Sequence, residues 1–183
     1  MNVAIAYAEK LGQLITEDLK LGIAVFMEIE GEWTFSWIRY MEKYPFVGEG
    51  VGVSLADDTG ELCSFNNSIT SKNCPLNLKI TEDEATTTAE KHIKSILPVL
   101  TRGHSMAYEK VGAPCLQVVY PNKMHRGDME EKYSGSLQPN IEPRLVYEVT
   151  FTFSGAVKGQ PYMSLPPIPL WIDAETGKVV GGR

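Results

Sequence analysis

Apolar side chains at Val3, Ala6, Tyr7, Leu11, Leu14 and Ile15 recur at steps of three and four, the spacing that collects residues on one face of an α-helix. From Ile23 to Tyr40 the period changes. Trp33, Phe35 and Trp37 alternate with Glu32, Thr34 and Ser36, as in a strand with one face buried. Gly48-Glu49-Gly50 interrupts the alternation, which resumes at Val51, Val53 and Leu55, turns through Leu55-Ala56-Asp57-Asp58-Thr59-Gly60-Glu61-Leu62 and returns from Leu62 to Phe65. The pattern predicts a helix followed by strands.

The same order recurs after a polar, proline-containing stretch at 66–79. Ile80-Thr81-Glu82-Asp83-Glu84-Ala85 offers Thr81 as N-cap, Glu84 three residues later as its capping-box partner, and acids in the first turn, where the helix dipole favours them. Ala85, Ala89, His92, Ile93 and Ile96 share one face, and Pro98 predicts the helix end because its ring clashes with the preceding turn. Beyond it, Cys115 to Tyr120 reads as a strand. Leu145, Tyr147, Val149, Phe151 and Phe153 line one face of a longer strand, with Glu148, Thr150 and Thr152 on the other. The last strands, Leu170-Trp171-Ile172 and Lys178-Val179-Val180, flank Asp173-Ala174-Glu175-Thr176-Gly177. Helix and antiparallel strands in this succession define the α+β class.

Asp58-Thr59-Gly60 is the triplet that carries the catalytic acid of aspartic proteases. Aligned with the later corner, however, Asp58 falls on Glu175, Thr59 on Thr176 and Gly60 on Gly177. What the two corners share is a turn, with glycine supplying positive φ and Asp or Thr bonding to nearby backbone. A catalytic pair sharing one proton needs two short carboxylates held together, and a glutamate in the matching place does not meet that need. Asp58 is expected to be a turn residue, and hydrolysis through it is the weakest of three functional readings.

At 183 residues with 43% apolar content, the chain can build one domain or two small halves around a real core. A net charge of −6 without a Lys/Arg cluster argues against a nucleic-acid partner, which requires cationic counter-charge. The apolar run Leu21 to Met27 is far shorter than the roughly 20 residues of a membrane span. Residues 1–16 lack the basic start, continuous apolar stretch and cleavage site of a signal peptide. Cys63, Cys74 and Cys115 are an odd number without CxxC spacing, which speaks against a disulfide framework or zinc knuckle. Cys63 and Cys74 either pair or, like most free thiols, are buried.

His92, His104 and His125 are scattered and form no HExxH or HxH pattern, so no metal site is expected; His92 reads as a core histidine. No serine lies in a GxSxG elbow, and Cys115 has no nucleophile signature. Gly48-Glu49-Gly50-Val51-Gly52 lies between strands and opens no helix, so phosphate cradling is unsupported. The polar stretch 121–144 is long for a connection, and such loops are functional or mobile. Its Arg126-Gly127-Asp128 triplet matches an integrin-binding tripeptide but is short enough to arise by chance. Asn66-Asn67-Ser68 fits a glycosylation acceptor.

The Ile80-Thr81-Glu82-Asp83-Glu84-Ala85 helix start, the Leu145-Val146-Tyr147-Glu148-Val149 strand and the closing Trp171-Ile172-Asp173-Ala174-Glu175-Thr176-Gly177-Lys178-Val179-Val180 hairpin together resemble the PepSY domain family. That family's pattern is a helix opened by Ile-Ser/Thr-x-Glu/Asp-x-Ala, a strand with an apolar-Tyr-x-Val run, and a terminal Val-Asp-Ala-x-Thr-Gly-x-Val hairpin. The match covers about residues 80–181. Residues 1–70, with their helix and Thr59-Gly60 corner, resemble a weaker copy. The chain is therefore similar to the tandem PepSY-like repeats of bacterial cell-envelope proteins and peptidase propeptides. The resemblance implies two helix-plus-antiparallel-sheet halves packed together, at 1–70 and 80–183, the second with an insertion at 121–144 that exceeds the family's usual spacing. It also implies a non-catalytic role, with no catalytic, cofactor or metal residues to carry over, and an extracytoplasmic or cell-envelope location; without a signal peptide in the chain, a cytoplasmic one stays open.

The leading expectation is a non-catalytic binding or regulatory module that presents a sheet face, an edge strand or the 121–144 loop to a protein partner, such as a peptidase it restrains. The alternative is a small-ligand carrier or sensor with a pocket between helix and sheet, which Trp33, Trp37 or Trp171 would report by quenching.

Overall fold

A computed structural model describes residues 1–70, 72–100, 106–122, 141–155 and 166–183. The chain divides into two compact units, Met1–Lys72 and Asn73–Arg183. Each is of the α+β kind and dominated by its antiparallel sheet.

The first unit runs α1 (Asn2–Lys10), β1 (Leu19–Met27), β2 (Glu32–Met41), β3 (Tyr44–Ala56) and β4 (Leu62–Asn67). Its strands pair antiparallel in chain order, β1 with β2, β2 with β3 and β3 with β4. Phe35 and Trp37 of β2 and Val51, Val53 and Leu55 of β3 form one buried cluster with Leu19, Ala4 and Ala8. The helix thus buries Ala4 and Ala8, with Ile5 and Tyr7 packed beside them, whereas Val3 and Leu11 are exposed. The expected stripe was displaced, and the helix ends before Leu14 and Ile15. Alanine lets the helix backbone approach the sheet closely, and in nine residues two neighbouring apolar stripes are not separable by period alone.

Two further expectations are corrected in this unit. Ile23 to Tyr40 is not one stretch of strand but parts of two, joined by a loop at Glu28-Ile29-Glu30-Gly31. A second hairpin turns at Glu42, a non-glycine residue at φ 56, between Met41 and Tyr44. Gly48-Glu49-Gly50 does not break β3, which continues through it. Gly48 takes φ 92, and a Cβ on Gly50 would meet the Trp37 carbonyl oxygen at 2.3 Å. These glycines absorb the register shift opposite Ile38 and Tyr40 while the strand keeps going.

The second unit runs α2 (Glu82–Leu100), β5 (Ala107–Val119), β6 (Arg144–Ser154), β7 (Ile168–Asp173) and β8 (Val179–Gly182), with β5, β6, β7 and β8 paired antiparallel in that order. The capping box forms as expected: the Thr81 amide donates to Glu84 Oε2 at 2.7 Å and the Glu84 amide to Thr81 Oγ1 at 3.2 Å. These bonds from Thr81 hold the Glu84 carboxyl below its ordinary pKa. Ala85, Ala89, Ile93 and Ile96 face the core and His92 is half-buried. The helix continues past Pro98 to Leu100, the last residue described before Met106, since the proline forfeits one backbone bond without stopping the helix. Leu145, Tyr147, Val149, Phe151 and Phe153 are all buried along β6. Strand β5 starts eight residues before Cys115, with a register shift between Val111 and Cys115 that hides its alternation.

Candidate protein-interaction surface

Three hairpins use one loop. Between Met27 and Glu32, Ala56 and Glu61, and Asp173 and Lys178 stand four residues ending in glycine, at φ 65 for Gly31, 66 for Gly60 and 69 for Gly177. In each, the glycine amide donates to the carbonyl of the residue before the loop, at 2.9 Å in all three. Only glycine adopts this left-handed backbone without penalty, so the repeated glycine is a turn requirement. Asp58 is exposed at the second loop position. The same position holds Ile29 in the first loop and, in the third, Glu175, whose Oε1 accepts from Lys79 Nζ at 2.7 Å. No chemistry is common to that position, and Asp58 is a turn residue. Its neighbour Asp57 accepts the Trp33 indole N–H at 2.7 Å.

The first of these loops ends strand β1, which borders the sheet and pairs only with β2 among the described residues. Opposed residues share a face. Ala24 and Phe26 stand opposite Phe35 and Trp33, on the α1 side, while Ile23, Val25 and Met27 stand opposite Ser36, Thr34 and Glu32, on the other. Phe26 and Trp33 pack ring to ring at 5.5 Å. Ile23 is 52% exposed, Val25 and Met27 about as much at 41% and 43%, and Ile29 at the loop tip 96%. A register shift between Leu21 and Ile23 marks a bulge at Gly22, where a Cβ would meet Ile38 Cδ1 at 2.7 Å.

Natural sheets blunt their edges with charges, proline, bulges or shortness. Beyond the bulge, Ile23–Met27 has no charge and no proline. The first unit's β4 is six residues long and polar in Ser64, Asn66 and Asn67, and the second unit's β8 is four residues with two glycines. An apolar run such as Leu21–Met27 reads as a buried strand by composition, so the sequence concealed this surface. The Glu28-Ile29-Glu30-Gly31 loop, which matches the two recognised corners in its final glycine, was the signal that could have separated β1 from β2.

The second unit contains two polar arrangements. Glu148 on β6 accepts from Gln117 Nε2 at 2.7 Å and Trp171 Nε1 at 2.9 Å, and from Arg183 Nη2 at 2.7 Å. Burial pushes the Glu148 carboxyl up, but the bonds from Arg183, Trp171 and Gln117 outweigh it and leave the pKa below the ordinary value. Elsewhere an open cleft of about 800 Å³ is lined by His92, Arg144, Asp173, Thr176, Lys178 and Val179 among others. The Asp173 carboxylate there accepts the Glu175 and Thr176 amides at 3.0 and 2.7 Å.

The remaining sequence candidates do not converge. His104, His125 and Arg126-Gly127-Asp128 lie outside the described residues, as does most of 121–144. Cys63, Cys74 and Cys115 are all free; Cys74 is buried, but Cys63 and Cys115 are exposed, against the expectation of buried thiols. Asn66 is exposed on β4, and Ser68 Oγ donates to the Gly50 carbonyl at 3.2 Å. Among the described residues no group of three His, Cys, Asp or Glu is placed to hold a metal, and no helix is long and apolar enough to cross a membrane.

No protein-family model matches the chain, and no curated protein matches it. Among solved structures the chain is similar to the Bacillus megaterium YpeB C-terminal domain, at 14% identity and a TM-score of 0.44, over 100% of this chain and 62% of that one.

Proposed function

We propose that this chain is a non-catalytic protein-binding or regulatory module that docks its partner by strand addition at β1. The observation that carries it is the uncapped edge: Ile23, Val25 and Met27 present an exposed apolar row beside a row of backbone groups with no strand to pair them among the described residues. Strand addition uses both at once, backbone hydrogen bonds for affinity and alternate side chains for selectivity. The helix-then-four-strands order of each unit and the PepSY-like motifs of residues 80–181 support two copies of one PepSY-like design, with a role in restraining a peptidase at the bacterial cell envelope.

A photo-reactive benzoylphenylalanine at Val25, with the same group at exposed Asn66 on β4 as control, tests this in extract of the source cells. A protein adduct at Val25 and none at Asn66 is expected, and a captured peptidase slowed by added chain would support the restraining role. Equal labelling at both positions, or none at either, would sink the docking role of β1.

A second reading, a small-ligand carrier or sensor, is favoured by the cleft lined by His92, Arg144 and Lys178. Its volume of about 800 Å³ falls in the range of ligand pockets, roughly 300–1,000 Å³. A saturable change in the His92 ring proton shifts on titration with a small molecule, abolished in Lys178→Glu, is the expected result, since both residues line the cleft; a change indifferent to that substitution counts against it.

A further inference from the structure

We infer that the strand received at β1 is β1 of a second copy of this chain, giving a two-fold dimer through paired edges; the inference rests on β1 being a docking edge. The first support is the direction of the backbone groups. Met27 O turns inward to accept the Gly31 amide at 2.9 Å, and along an antiparallel ladder the groups alternate. Val25 and Ile23 therefore also point inward to β2, and Ala24 and Phe26 turn their N–H and C=O outward.

The second support is self-complementarity. A two-fold axis at Val25 sets Val25 against itself, Ala24 against Phe26 and Ile23 against Met27, so both outward-pointing residues meet outward-pointing residues and exchange backbone hydrogen bonds. Each pair also shares a sheet face: Ala24 and Phe26 lie on the α1 side, while Ile23, Val25 and Met27 lie on the other. The two exposed rows merge into one apolar stripe, and the pairing stays within the regular segment beyond the Gly22 bulge. The third support is charge. Lys20 is the strand's single charged residue, and the loop carries Glu28 and Glu30. The antiparallel arrangement brings Lys20 of each copy towards those carboxylates of the other, at both ends of the seam. A C2 contact of this kind is isologous and closes on itself, so it produces a dimer and not a filament.

Sedimentation of the full chain at about 100 μM, where association tighter than that concentration is populated, is expected to show a dimer. Ala24→Pro removes an outward donor without touching the β1–β2 ladder, a position where an edge strand tolerates proline. Val25→Lys places two like charges face to face at the axis. Both variants are expected to be monomers with the far-ultraviolet spectrum of the parent and a melting temperature that, unlike the parent's, does not rise with concentration, and Val25→Lys serves alone if Ala24→Pro does not fold. In a background with both exposed thiols removed, Cys63→Ser and Cys115→Ser, Val25→Cys is expected to oxidise to a covalent dimer. Residues facing each other in a non-hydrogen-bonded pair have Cα atoms about 4.5 Å apart, within disulfide reach. Ile29→Cys, more exposed but away from the axis, is expected to stay monomeric. A monomeric parent, or Val25→Cys oxidising no faster than Ile29→Cys, overturns the dimer. A monomeric parent that still gives a Val25-specific adduct with another protein overturns self-pairing and leaves the docking edge standing; absence of both removes both.

Discussion

Ile29 and Asp58 occupy the same place in the same loop. Each is the second of four residues whose closing glycine, Gly31 or Gly60, lies at φ 65 or 66 and donates its amide at 2.9 Å to Met27 or Ala56. An isoleucine serving where an aspartate also serves shows that the loop needs backbone geometry there and not a carboxyl group. Asp58→Asn is therefore expected to change stability by no more than about 0.5 kcal/mol, the usual range for surface substitutions. Gly60→Ala forces a Cβ into left-handed backbone and is expected to cost about 1–2 kcal/mol. Urea unfolding of the two variants checks both, and an Asp58→Asn loss larger than that of Gly60→Ala would refute the shared-loop account.

Glu148 has a pH signature of its own. Burial raises its carboxyl pKa, yet the bonds from Arg183, Trp171 and Gln117 bring the net value below the ordinary one. A folded pKa depressed below the unfolded value gives stability that is present above about pH 4.3 and lost as pH falls through the folded pKa. Glu148→Gln is expected to lose about 1.5–3 kcal/mol at neutral pH, the range for hydrogen bonds to a charged group, and to flatten the acid limb of the stability curve. Thermal melts from pH 3 to pH 7, with and without the substitution, measure it; parallel curves would mean that the three donors do not favour the ionised form.

Arg39 and Glu49 form a buried pair in the first unit. Arg39 Nη1 donates to Glu49 Oε2 at 2.6 Å and to the Thr70 carbonyl at 2.9 Å, and the Glu49 side chain has no exposed surface. Removing Glu49 leaves the buried guanidinium with the half-exposed Asp18 carboxylate at 3.5 Å as its remaining counter-charge, so Glu49→Leu is expected to cost about 1.5–3 kcal/mol, the range for hydrogen bonds to a charged group. Replacing both, Arg39→Met with Glu49→Leu, is expected to recover most of that loss. Denaturation of the double variant no better than that of Glu49→Leu would show that Arg39 holds the site for another reason.

The three thiols are expected to separate by exposure. Burial pushes Cys74 up to about 11, while Cys63 and Cys115 are exposed. Loss of hydration raises Cys63 somewhat, with the Glu32 charge adding to it, and Cys115 likewise, with Glu148 adding. An aromatic disulfide reagent at pH 8 is expected to label Cys63 and Cys115 in the native chain and Cys74 only after unfolding. Native labelling of Cys74 at a comparable rate would contradict its burial.

Elements whose signal is local were legible beforehand. Thr81 and Glu84 meet across three residues, so their capping box is written in adjacent positions. The alternation of Leu145 to Phe153 names the buried face of β6 because side-chain direction in a strand follows from residue parity alone. Gly60 and Gly177 fix their turns for the same reason: positive φ is a demand on one residue.

What the sequence by itself determined is this local grammar: two helices, the alternating strands and the loops closed by Gly60 and Gly177. What only the tertiary structure decided is which apolar residues are left outside. Leu21–Met27 reads as core by composition, yet among the described residues β1 has a neighbour on one side only, and Ile23, Val25 and Met27 face away from α1. Likewise Ala4 and Ala8, instead of the larger Val3 and Leu11, meet the sheet. Hydrophobic pattern specifies what a residue prefers, whereas burial depends on how many neighbours the topology supplies. At the last strand of a sheet that number drops, and apolar side chains stay outside.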